Sequence, residues 1–319
     1  MQIYLDEQLK QHNPYLEKIK NYIPYSSEME YDKNEINIII SPRKNNYILP
    51  YDYGEGVRGK GEYVLRWGSG CIYDCVYCFP KARFNNNPLI RIFPEIDKII
   101  SELSMLNYSK KLLLNAGENF DSFLFENIIP FSETLTNELF KLSDKIQIEF
   151  RTKALVTETF IKNANKKNCI IAFSISPESI RKFYESKAPE LALKINNLTK
   201  LQKAGFKTAI RFEPVILTEH FKENYIELFK TLSHNGIFKN LESVDVSLLR
   251  LTKNNYSTLI ETNPELLRNE WLYHEQHKKY RYFSGIRVKA YKFLIEELKK
   301  YYAKPVHIGT EPEEFVKKL

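Results

Sequence analysis

At 319 residues, with 43% hydrophobic and 27% charged side chains, the chain has the composition of an ordinary folded globular protein, long enough to bury one substantial α/β core. No apolar run approaches the length of a bilayer span, and Met1 to Lys10 lack the hydrophobic stretch of a secretory leader, so a cytoplasmic protein with no membrane partner is expected. A formal net charge of +7 permits a nucleic-acid partner but does not require one, because the basic residues are dispersed.

In chain order, residues 1–60 form an N-terminal extension with a hairpin-like piece around Ile36–Ile40. They end in a glycine-rich stretch, Gly54-Glu-Gly56 to Gly59-Lys-Gly61. No helix follows those glycines as a phosphate loop requires, so they read as a lead-in. Strand patterns then alternate with helical ones. The strands are expected at 63–67, 111–114, 145–151, 169–175, 208–212 and 243–249, and the helices at 94–106, 123–142, 157–165, 190–204 and 223–233. Regular βα alternation with short connections predicts a parallel sheet wrapped by helices, a partial (β/α)6 TIM-type barrel over residues 61–250. Residues 251–319 form a C-terminal extension that packs on it, with a helix at 288–302 and a short strand at Pro305-Val-His-Ile308.

Buried parallel strands normally read as continuous apolar runs. Here polar residues recur at every second position near the strand ends: Glu149, Arg151 and Lys153; Ser174 and Ser176; Arg211 and Glu213; Asp245 and Ser247. Their neighbours, among them Ile148, Phe150, Ile210 and Val244, are apolar. A polar inner face under an apolar outer one predicts a barrel whose lumen takes a polar ligand at the carboxyl ends of its strands. A half-exposed sheet with one wet face would give the same pattern.

Directly after the first barrel strand come three cysteines within eight residues, Cys71-Ile-Tyr-Asp-Cys75-Val-Tyr-Cys78. Soft thiolates at that spacing suit an iron–sulfur cluster; a cubane held by three of them keeps one iron open. A structural zinc would need a fourth ligand, and no Cys or His follows before Cys169. Cys169 opens the apolar run Cys169-Ile-Ile-Ala-Phe173 and reads as a buried small hydrophobe.

The C-x3-C-x2-C spacing, with Tyr77 before the third cysteine and Phe79 after it, resembles the radical S-adenosylmethionine (SAM) superfamily. Further along, Arg151-Thr-Lys153, Phe173-Ser174-Ile-Ser176, the segment 190–205 and Glu213-Pro-Val-Ile216 resemble the spore photoproduct lyase subgroup. That likeness runs from about residue 63 to 235 and resumes near Gly285-Ile-Arg287-Val-Lys289-Ala-Tyr291. The resemblance implies a [4Fe–4S] cluster on Cys71, Cys75 and Cys78, with SAM chelated at the open iron and a flavodoxin- or ferredoxin-type electron donor. It implies hydrogen abstraction from a nucleic acid or nucleotide-like substrate. Gly117-Glu118 is similar to the element that meets the SAM ammonium, and Asp121, Lys153, Ser174, Ser176, Arg211 and Glu213 complete the expected cofactor contacts. Asp121 also suits a helix cap, and Arg211 could instead pair with Glu149 or Glu213. Tyr77 is the candidate catalytic residue.

Two departures stand out. The lyases carry a hydrogen-donating cysteine after the second strand, whereas Asn115 to Asp121 contain none, and Phe79 stands where they carry tyrosine. Spore photoproduct is therefore not expected to be repaired with efficient turnover. Modification of a peptide or small metabolite in the same barrel, or a cluster-bearing nucleic-acid-binding or redox-sensing protein without catalysis, are the other readings.

Overall fold

The computed structural model describes residues 1–32, 35–51, 62–78, 89–106 and 111–319. The glycine-rich stretch from Gly54 to Gly61 and Phe79 lie outside these residues. No helix among the described residues is long and apolar enough to cross a membrane.

Among the described residues the larger sheet holds eight strands. They are β4 (Ile48–Pro50), β5 (Glu62–Leu65), β8 (Leu112–Asn115), β9 (Ile146–Thr152), β10 (Cys169–Ser174), β11 (Lys207–Val215), β12 (Leu241–Leu248) and β16 (Val306–Ile308), side by side in that order. All pair in parallel except the edge strand β4 on β5. Within this sheet the order in space follows the order in the chain, as βα units require, and the sheet curls into a partial (β/α)6 barrel. The amphipathic helices at Phe131–Leu142, Leu191–Lys203 and Phe221–His234 cover its outside. Beneath them Ile148, Phe150, Phe173, Ile210, Phe212, Val244 and Val246 are fully buried.

The opposite face of the strands is partly polar, as the alternation predicts. Ile170, Ala172 and Ala209 form a small apolar patch of their own. Beside it the Arg211 guanidinium pairs with Glu149 and with Asp245 and donates to Ser243 Oγ at 3.2 Å. Arg151 Nε donates to Glu149 Oε1 at 2.7 Å. Burying these charged groups is tolerable because each is answered by an opposite charge and a hydrogen bond.

A second sheet runs β2 (Ile23–Pro24), β1 (Gln2–Leu5), β3 (Asn37–Ile40), β7 (Leu89–Ile92) and β6 (Gly68–Ser69), parallel except for β6. This corrects the hairpin expected at Ile36–Ile40. All four β3 residues are buried between two parallel neighbours, which local sequence cannot reveal because their partners are remote. The helix expected from Phe123 begins at Phe131. Pro130 lacks the N–H that would carry a helix through that point, and the preceding turns bury Phe123, Phe125 and Ile129 instead. A helix at Glu178–Tyr184 was not expected; at seven residues it is too short to show a period.

The C-terminal residues add a three-stranded antiparallel sheet of β13 (Arg250–Leu251), β15 (Lys279–Tyr282) and β14 (Trp271–His274) and the Ser284–Lys299 helix. Arg287 and Tyr291 on that helix both reach Glu311, beyond the end of β16, and so dock the closing strand.

Candidate active site at the carboxyl ends of the barrel strands

The three cysteines leave β6 through Gly70, whose φ of 91° admits few side chains. Cys75 and Tyr77 are buried, Cys71 and Cys78 are half-buried, and none is in a disulfide. A turn closed by Cys78 N to Cys75 O at 3.0 Å shapes the segment, and Tyr73 N donates to Cys71 Sγ at 3.5 Å. Groups outside the segment hold it: Tyr184 O accepts from Val76 N at 3.0 Å, Asn255 Nδ2 donates to Cys78 O at 3.1 Å, and Lys187 meets Asp74 at 3.1 Å. Among the described residues no three His, Cys, Asp or Glu side chains are gathered tightly enough to hold a metal ion. The donor chemistry nevertheless fits an iron–sulfur cluster. Burial, Asp121 and the two neighbouring thiols push Cys71 up, and burial pushes Cys75 up to about 11. A cluster binds thiolates, so loading it would release these protons, and the soft sulfur donors are of the kind that iron–sulfur clusters take.

Lys153 follows β9 and reaches back over this loop. Its Nζ donates to Tyr77 Oη at 2.7 Å and meets Glu185 Oε1 at 2.8 Å. The same oxygen accepts from Ser176 Oγ at 2.7 Å and from the Tyr77 hydroxyl. Burial works against the Glu185 carboxylate, but the charges of Lys153 and Lys194 hold it down to about 2. Tyr77 is raised by burial and by Glu185, so it stays a phenol. Lys194, buried on the Leu191–Lys203 helix, donates to Ser174 O at 3.4 Å; its burial lowers it to about 8.

Beyond β8, Gly117 lies against β9: a Cβ there would meet the Arg151 carbonyl at 2.8 Å and the Arg151 Cβ at 2.5 Å. Glu118 Oε2 stands 3.7 Å from Arg66 Nη2. Asp121 is spent on the chain itself, accepting from Lys153 N at 2.6 Å, Thr152 Oγ1 at 2.7 Å, Phe123 N at 3.1 Å and Ala154 N at 3.3 Å. It splices the end of β8 to the end of β9 and caps the turn at Phe123. Arg211 is likewise committed to Glu149 and Asp245. Glu213, with Glu118 and Arg250, lies within electrostatic reach of Tyr51, and Glu213 also of Arg151. Cys169 is fully buried at the amino end of β10, away from the carboxyl ends that carry these groups.

Tyr77, Lys153 and Ser176 thus converge, and Glu185 is the residue through which they do so. Sequence reasoning missed it, since nothing in Phe183-Tyr184-Glu185 distinguishes it from a surface carboxylate. Lys194 carried a signal: it falls on the stripe Leu191, Ile195, Leu198 and Leu201, where a charge is out of place unless paired.

A family model described as spore photoproduct lyase matches residues 17–302. Spore photoproduct lyase from Bacillus subtilis (strain 168) is 22% identical over 272 residues, 80% of this chain and 76% of that protein. The enzyme of the same name from Clostridium acetobutylicum is 26% identical over 185 residues, 56% of this chain and about half (54%) of that protein. Among solved structures, spore photoproduct lyase complexed with dinucleoside spore photoproduct superimposes with a TM-score of 0.77 at 13% identity, covering 96% of this chain and 97% of that one. A doubly substituted spore photoproduct lyase with bound AdoMet and dinucleoside spore photoproduct gives 0.76 at 13% identity, over 97% and 98%.

Proposed function

This chain belongs to the spore photoproduct lyase family and is a radical SAM enzyme that uses a [4Fe–4S] cluster and SAM; we propose that it abstracts a hydrogen atom from a nucleotide-like unit of a nucleic acid. The observation that carries this reading is the placing of the three-cysteine loop and the polar strand ends at one end of the barrel, joined by Lys153. When bound, the cluster and SAM supply a 5′-deoxyadenosyl radical, with the electron drawn from a flavodoxin- or ferredoxin-type donor.

Cys71, Cys75 and Cys78 hold the cluster. Glu118 offers a carboxylate to the SAM ammonium, and Gly117 lets that segment lie close to β9. Lys153 presents a cation to the SAM carboxylate, steadied by Glu185, while Ser174, Ser176 and Glu213 line the same mouth. Asp121 and Arg211 act as positioning residues, the first fixing the Lys153 backbone and the second the floor beneath. Tyr77 sits between the cysteines with its phenol protonated, so its O–H hydrogen is available as an atom to a carbon radical of the substrate, which would leave a tyrosyl radical.

The departures at Asn115–Asp121 and Phe79 support a product other than two repaired thymines. The test is anaerobic reconstitution followed by assay of 5′-deoxyadenosine against DNA photoproducts, undamaged DNA, peptides and small metabolites. Stimulation by a nucleic acid alone is expected; stimulation by a peptide or metabolite alone would overturn the substrate class.

A further inference from the structure

The two carboxylate oxygens of Glu185 stand in unequal circumstances. Oε1 meets Lys153 Nζ at 2.8 Å and accepts from Ser176 Oγ at 2.7 Å and from the Tyr77 hydroxyl. Oε2 is buried and accepts no hydrogen bond among the described residues. A buried carboxylate oxygen without a donor is costly, and such an atom calls for a reason. The backbone that carries it is fixed on both sides, since Glu185 N donates to Arg181 O at 2.9 Å and Ala188 N to Glu185 O at 2.8 Å.

Lys194 is the second cation of this cluster. It projects from the Leu191–Lys203 helix and is only 2% exposed. Its Nζ donates to Ser174 O at 3.4 Å, a long bond for an ammonium with three N–H groups to place. Lys194 and Glu185 feel each other's charge without a hydrogen bond between them. After burial, Glu185 is the largest influence on Lys194, and Lys194 follows Lys153 in holding the Glu185 carboxylate down. Cys75 and Asp121 act on Lys194 more weakly, and the oxygens of Asp121 already serve four donors of the chain itself. A buried ammonium with one long bond and a buried oxygen with none are thus neighbours, while Glu185 is committed to the other lysine.

Lys153 is the lysine that a ligand can claim, because its side chain is 16% exposed whereas that of Glu185 is wholly buried. An incoming carboxylate competes with Glu185 for the same ammonium, and what Lys153 gives to the ligand it withdraws from Glu185. A buried carboxylate whose counter-charge is drawn away would oppose that binding. A second ammonium on a flexible four-carbon stem removes the opposition.

We infer that Lys194 is a positioning residue for the cofactor: as the SAM carboxylate draws Lys153 toward itself, Lys194 takes over Glu185 through Oε2. The long bond to Ser174 O is the contact that Lys194 gives up. The inference rests on the assignment of Lys153 to the SAM carboxylate proposed above, and it divides the work between two lysines, one presented to the ligand and one kept for Glu185.

The test uses the full, anaerobically reconstituted chain without reductant, so that SAM is bound and not consumed, and follows SAM binding by calorimetry. Lys194→Met is expected to weaken binding by about tenfold. Lys194→Gln, which keeps a donor for Ser174 O without the charge, should do the same. Lys194→Arg should bind within about threefold of wild type, because it keeps the cation. Cluster absorbance and melting temperature identify a variant that fails to fold, and the Gln protein replaces the Met protein if that one does.

The deciding comparison is a cycle with Lys153→Ala. In that background no ammonium leaves Glu185, so removing the Lys194 charge should change SAM affinity by less than about twofold. Equal losses in both backgrounds would overturn the inference, since Lys194 would then shape the mouth without serving Glu185. Wild-type affinity in Lys194→Met and Lys194→Gln, with Lys153→Ala weakened, would overturn it as well and leave the Lys153 assignment standing. Wild-type affinity in Lys153→Ala itself would instead overturn that assignment, and the role of Lys194 with it.

Discussion

Lys153 Nζ, largely buried, meets Oε1 of the fully buried Glu185 at 2.8 Å, and Tyr77, between the second and third cysteines, is hydrogen-bonded to both. The pair joins the end of β9 to the loop after the Glu178–Tyr184 helix, across the cysteine segment. A cation held this way is oriented before any ligand arrives, and orientation is what an anionic cofactor group needs from it.

Lys153→Ala is expected to keep the visible absorbance of the cluster and to lose about 1.5–3 kcal/mol of SAM affinity, the value of a charge-assisted hydrogen bond. Glu185→Gln should be worse for the fold, by about 3 kcal/mol, because it leaves Lys153 and Lys194 buried without their counter-charge. Calorimetry of SAM binding and denaturant unfolding check the two. Unchanged SAM affinity in Lys153→Ala would mean that the lysine serves only the pair.

Gly117→Ala tests how closely the segment after β8 approaches β9. The added Cβ would lie 2.8 Å from the Arg151 carbonyl and 2.5 Å from the Arg151 Cβ, so backbone has to move. Reduced SAM binding with the cluster retained is expected, and a neutral outcome would show that the segment yields freely.

Glu126 gives a pH signature outside the cysteine segment. Its carboxylate accepts from Ser132 N at 3.0 Å and Glu133 N at 2.9 Å, but burial raises it from 4.5 to about 7. A folded value above the unfolded one means that its contribution to stability is complete below pH 4.5 and is lost as pH rises through 7. Between about pH 5 and 8 this group should cost on the order of 2 kcal/mol. Glu126→Gln should flatten that part of the unfolding profile; an unaltered profile would place the pH dependence elsewhere.

Anaerobic incubation with the authentic dinucleotide photoproduct is expected to give no repeated, clean release of two thymines, since Asn115 to Asp121 hold no thiol and Cys169 is buried at the amino end of β10. Multiple turnovers would demand another donor, and Tyr77→Phe would then be the first variant to make.

Alternation placed the barrel because each parallel strand declares its inner and outer faces locally: Glu149, Arg211 and Asp245 fell on one side in sequence and meet in one ion-pair network in space. What that pattern could not disclose was partnership. In sequence Arg211 reads either as a ligand contact or as a partner of Glu149 or Glu213; in space it pairs with Glu149 and with Asp245, which come from other strands. Asp121 looked split between a cap and a cofactor contact, and four hydrogen bonds from the chain itself show how its oxygens are used. The second sheet was illegible for the same reason, since β3 is completed by β1 and β7. Glu185 ends a helix of only seven residues, and nothing short of the fold brings it to Lys153.

The most direct measurement is the yield of 5′-deoxyadenosine from SAM when the anaerobically reconstituted protein is given a strong reductant, with wild type set beside Cys75→Ala. Release by wild type, together with loss of both release and cluster absorbance in Cys75→Ala, is the predicted result. A Cys75→Ala protein that cleaves SAM at the wild-type rate would contradict the assignment of the cysteine loop as the seat of the chemistry.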